Sequence, residues 1–95
     1  MVVSMLSLII ELPEATSLKD KRSVVSSIKT RLARKFRLSV AEVDLLDSLT
    51  FAEIGAALVS NSAEFGEKVL HKALALVESE LGLRVHDAQI HSERY

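Results

Sequence analysis

Cysteine and tryptophan are absent from the 95-residue sequence, proline occurs once and glycine three times. Without cysteine there is neither a disulfide nor a thiolate metal site, so stability has to come from packing, and the composition suits a reducing, cytoplasmic setting. The scarcity of proline and glycine leaves no linker, no low-complexity tract and neither glycine-rich phosphate fingerprint. Aromatic residues number only four, Phe36, Phe51, Phe65 and Tyr95. Phe36 falls on a core stripe and Phe51 alone makes a poor platform, which argues against the mode in which sheet-face RNA binders stack bases on exposed rings. A long apolar run is missing as well. The opening MVVSMLSLII stops at Glu11, short of the roughly 20 residues of a membrane span and without the charged start or cleavage site of a signal peptide. The reading is a soluble protein with no membrane partner.

What is present is a hydrophobic content of 48%, enough for one domain over residues 1–95 and too little for two cores. Residues 2–12 are apolar on both alternating sides, as in a central strand. Pro13 cannot extend that ladder, and Ser17 followed by Asp20 has the form of a helix cap. Leu18, Val25, Ile28, Leu32 and Phe36 then recur at helical spacing, opposite Ser23, Ser27, Thr30 and Arg34. LSVAEVDLL and TFAEIGAALVS read as two strands of a hairpin. Asn61 with Glu64 forms a second capping pattern, and the stripe from Gly66 to Leu81 stops at Gly82, as helices do. Residues 83–92, LRVHDAQIHS, alternate weakly, as an edge strand does.

The order strand, helix, strand, strand, helix, strand predicts an α+β fold, the ferredoxin-like β-α-β-β-α-β two-layer sandwich. Right-handed crossovers put both helices on one face of a four-stranded antiparallel sheet with the first and third strands central. Leu6, Leu8, Ile10, Ile54, Ala56 and Leu58 are assigned to the helix side. Val3, Met5, Ile9, Ala57 and Val59 are left on the open side, and an uncovered face with that much apolar surface is a candidate interface, a homodimer included.

Catalytic and metal chemistry find no support. The serines lack a patterned histidine and carboxylate or a glycine-framed nucleophile turn. His86 and His91, five apart on a strand, are expected on opposite faces, with His71 on the outer side of the second helix, so no shared ligand set is expected. Glu42 and Asp44 are expected to share a face near Asp47 and Glu53, where an acidic, solvated hairpin accounts for them better than a hard-cation site, though a divalent ion or a basic partner stays open. Gly66 reads as a point of close helix–sheet approach, and Gly55 as the same within its strand. No catalytic residue, metal site or cofactor is assigned.

One segment does stand out. Residues 18–37 hold eight basic and one acidic side chain, a net +7, while the rest of the chain carries −8. Arg31, Arg34, Lys35 and Arg37 complement the negative end of their own helix, and pairing with Glu64, Glu67, Glu78 or Glu80 would occupy others. Lys19, Lys21 and Arg22 sit at the opposite end, where the helix is already positive and cations are disfavoured. Binding of phosphate oxygens is one account of them; pairing with Glu11 or Glu14 is the other. Lys21 also lies near the apolar stripe, where a lysine commonly lays its stem on the core and brings its amine out to water. The residues singled out as RNA phosphate contacts are Lys19, Lys21, Arg22, Lys29 and Arg34. Recognition of that kind depends steeply on salt, rests on phosphate and shape, and has no DNA specificity.

Three stretches, SLKDKRSVV, SVAEVD and IGAALVSN, together resemble the YlxP-like family of short bacterial proteins of unknown function, in order and spacing over nearly the whole chain, with LLDSLTFAE fitting worst. The resemblance implies a ferredoxin-like domain whose gene lies beside those of a translation initiation factor and a ribosome-binding factor. That tilts the expected partner toward ribosomal or other structured RNA, and it supplies no catalytic residues.

Overall fold

Strand β1, Val2–Glu11, occupies an interior position because both its faces are apolar, and two partners flank it in a computed structural model that describes residues 1–12 and 15–95. Pro13 and Glu14 lie outside the described residues, and with them the expectation that Pro13 halts the ladder and that Glu14 pairs with a nearby cation. Helix α1 runs over Leu18–Phe36, followed by β2, Ser39–Asp44, and β3, Phe51–Ser60. Helix α2, Ala63–Ala75, passes into a π-helical turn, Leu76–Glu80, before β4, Arg84–Arg94. The sheet order is β2-β3-β1-β4, every neighbouring pair antiparallel. This is the expected α+β sandwich, with both helices on one face of the sheet.

Leu6, Leu8 and Ile10 of β1, with Leu12 just after it, face Val25, Ile28 and Leu32 of α1, Leu70 and Ala73 of α2 and Val77 of the π-helical turn across the core, with Ala52, Ile54 and Ala56 beside them on β3. Ser4 is the polar exception on this side. It is fully buried, and its Oγ shares a hydrogen bond with Ser92 Oγ at 2.8 Å. Gly66 lies directly above it: a Cβ built on Gly66 would overlap Ser4 Oγ and stand 2.8 Å from Ser4 Cβ, so α2 reaches the sheet there only because the helix lacks a side chain. At the far end the chain leaves the helix through Gly82 at φ 63, a left-handed conformation that glycine adopts without strain.

Three local expectations are corrected. The cap of α2 is Ser62, whose hydroxyl accepts from the Phe65 amide at 3.2 Å, and not Asn61. The Ser60 hydroxyl binds both the amide and the carbonyl of Ser62, and this tight turn fixes which residue reaches the helix start. Glu42 and Asp44 do not share a face. Glu42 is in register with core-facing Ile54 and Asp44 with Glu53, because a bulge at Val43 shifts the ladder between them. A second shift, in β4 opposite Ile9 and Ile10, acts on His86. His86 Nε2 lies 2.8 Å from Glu11 Oε1 and the ring meets Phe51 edge-on at 5.2 Å, both neighbours on the open side. His86 and His91 therefore share a face, though each is occupied by its own carboxylate, His91 by Glu93 at 2.8 Å.

Candidate nucleic-acid interface

Helix α1 begins where the sequence caps it: Ser17 Oγ accepts from the Asp20 amide at 3.1 Å. The Thr16 hydroxyl donates to Asp20 Oδ2 at 2.6 Å, and this bond holds the Asp20 carboxyl below its usual range. The one acid of the segment is thus turned back onto the cap and away from the cations that follow it. The helix ends at Arg37, in the left-handed conformation at φ 56.

The five cations singled out as phosphate contacts separate into two groups. Lys19, Arg22 and Arg34 are exposed and Lys29 is half-buried. Among the described residues no carboxylate lies within 4.0 Å of any of these four. Lys21 is the correction. Its side chain is 1% exposed, its Nζ stands 3.0 Å from Glu42 Oε2 and donates to the Leu45 carbonyl at 2.5 Å. The reason is angular: position 21 falls on the stripe of Val25, Ile28 and Leu32, and the inward-facing Glu42 of β2 supplies a counter-charge inside the protein in place of the expected water. Lys21 has no surface on which to meet a phosphate.

Of the structural partners expected for the other cations, Glu80 alone takes part among the described residues. It lies 3.5 Å from Arg31 and 3.6 Å from Lys35, both exposed pairs of small energetic weight. Glu11, the upstream candidate for the first-turn lysines, faces His86 instead. What remains on the outward side of α1 is a row of cations interleaved with Ser23, Ser26, Ser27 and Thr30, all exposed. Lysine, arginine and hydroxyl side chains are the groups that contact nucleic-acid backbones.

The open sheet face forms a second surface. Val3 is in register with Val59 and Met5 with Ala57, so four of the five apolar residues assigned there adjoin. Ile9 stands apart, between Glu53 and Asp87. Met5 is 36% and Val59 65% exposed. Beside Met5 a shallow depression of about 430 Å³ is floored by small residues, Ser7, Ala41, Gly55 and Ala57. Val43, carried out by its bulge, overhangs Gly55. Among the described residues no cluster of three or more His, Asp or Glu side chains converges as a metal site would, and no helix is long and apolar enough to cross a membrane.

Two comparisons bear on this arrangement. The family described as Protein of unknown function (DUF503) matches residues 3–90. The Uncharacterized protein YlxP of Bacillus subtilis (strain 168) is 39% identical over 66 residues, 70% of this chain and 72% of that protein.

Proposed function

We propose, from the premise that the chain belongs to the family described as Protein of unknown function (DUF503), that it is a small non-catalytic cytoplasmic module that binds ribosomal or other structured RNA through the outer face of α1. The observation that carries this reading is the division of the cations. Lys21 is used internally, while Lys19, Arg22, Lys29 and Arg34 extend over roughly 22 Å of helix with no carboxylate of the described residues against them. Leaving four cations unneutralised along one helix is unfavourable for the free protein and favourable once a polyanion displaces its counterions. Electrophoretic titration with a structured ribosomal RNA fragment tests it. The wild type should bind at low salt, and Lys19→Ala/Arg22→Ala should bind about 30-fold more weakly at about 0.1 M salt. No shift at low salt, or equal affinity for both proteins, would remove the reading.

A second reading uses the open sheet face as a homodimer interface, and the paired apolar residues Val3, Val59, Met5 and Ala57 favour it. In that case light scattering gives twice the chain mass for the wild type and a folded monomer for Met5→Glu. A monomer in both proteins at high concentration eliminates it.

A further inference from the structure

We propose that the outer face of α1 is built to read double-helical RNA through its 2′-hydroxyl groups, in preference to duplex DNA or single strands; this rests on the phosphate-binding role argued above. The basis is the order of side chains along the face. Lys19 and Arg22 stand at one end and Arg34 at the other, with Arg37 just beyond it at the cap. Between Arg22 and Arg34, over about 18 Å of helix, lie Ser23, Ser26, Ser27 and Thr30, exposed and uncharged. Lys29 flanks this tract, half-buried, and Arg31 is turned to Glu80. A surface adapted only to negative charge has no use for a hydroxyl row at its centre. A helix laid across the wide, shallow minor groove of A-form RNA has such a use, because two phosphate ridges border a floor lined by 2′-hydroxyls that both donate and accept.

The alternatives fit less well. The minor groove of B-DNA, about 6 Å wide, does not admit a helix about 10–12 Å across with its side chains, and its major groove offers no 2′-hydroxyl. Single strands are held by stacking on aromatic rings, and this face has none: Phe36 packs against the core.

Fluorescence anisotropy with blunt duplexes of one sequence, as RNA, as DNA and as 2′-O-methyl RNA, together with the single RNA strand, tests the inference at constant salt. The RNA duplex should bind about tenfold more tightly than the other three. The variant Ser23→Ala/Ser26→Ala/Ser27→Ala/Thr30→Ala should lose that preference, with its salt dependence unchanged because no charge is removed. Alanine favours helix at all four positions, so loss of folding would not explain the change. Equal affinity for RNA and DNA duplexes, or tighter binding of the single strand, would overturn the inference and leave the phosphate-binding role standing. Absence of binding to all four probes at low salt would overturn both.

Discussion

Lys21→Ala should lower the free energy of unfolding by about 3 kcal/mol, while Lys19→Ala, two residues earlier, changes it by less than about 0.5 kcal/mol. Lys21 is almost wholly buried, and its ammonium is the counter-charge of Glu42 and the donor to the Leu45 carbonyl. Removing it leaves that carbonyl with the Ser48 amide as its one remaining donor, opens a space the length of a lysine stem, and strands a carboxylate whose buried Oε2 has no hydrogen-bond donor among the described residues to take the place of the ammonium. Breaking a buried pair from one side costs roughly 3–5 kcal/mol. Glu42 keeps 12% of its side chain exposed, so water relieves part of the penalty and the lower end applies. Lys21→Met/Glu42→Leu removes both charges together and should return to within about 1 kcal/mol of the wild type. Urea unfolding of the four proteins measures this. A Lys21→Ala cost no larger than that of Lys19→Ala would mean that the ammonium reaches water after all.

The second large effect reverses the usual preference of a helix. Gly66→Ala should gain about 1 kcal/mol from helix propensity, yet the net result should be a loss of about 2 kcal/mol. The new methyl would overlap Ser4 Oγ and lie 2.8 Å from Ser4 Cβ, a clash that no rotamer of alanine relieves. Either α2 lifts from β1, opening the core at Leu6 and Leu70, or Ser4 turns away from Ser92 and loses its buried hydrogen bond. The Ser4→Gly change tests which atoms are responsible. Alone it should destabilise, but combined with Gly66→Ala it should recover at least about 1 kcal/mol relative to strict additivity. Additive costs in denaturant unfolding would place the clash elsewhere.

Much of this architecture is legible in the sequence, since it rests on periodicity and on residues with one dominant use. Apolar residues on both sides of residues 2–12 mark an interior strand, Ser17 and Gly82 bound their helices, and Gly66 marks the helix–sheet contact. The misassigned faces share a cause. A bulge adds one residue without any compositional signature, and one residue inverts every later assignment of faces; the bulge at Val43 separates Glu42 from Asp44, and that opposite Ile9 and Ile10 brings His86 to the side of His91. Lys21 is half legible. Its helical angle places it on the core stripe, but its destination depends on Glu42 facing inward, which the pairing of Glu42 with Ile54 alone reveals. Asn61 and Ser62 are both competent caps, and the Ser60 turn chooses between them.

Helix α1 commits one lysine to the interior and leaves Lys19, Arg22, Lys29 and Arg34 without a carboxylate of the described residues within 4.0 Å; on the proposed function these four meet an external polyanion. The slope of log affinity against log salt, measured for a structured RNA with the wild type and with Lys19→Ala/Arg22→Ala/Lys29→Ala/Arg34→Ala, tests that division most directly. A steep wild-type slope that becomes shallower by about 3 in the variant, roughly 0.7–0.9 for each phosphate no longer neutralised, is the expected result. Two parallel lines, with the four cations removed and the salt dependence unchanged, would contradict it.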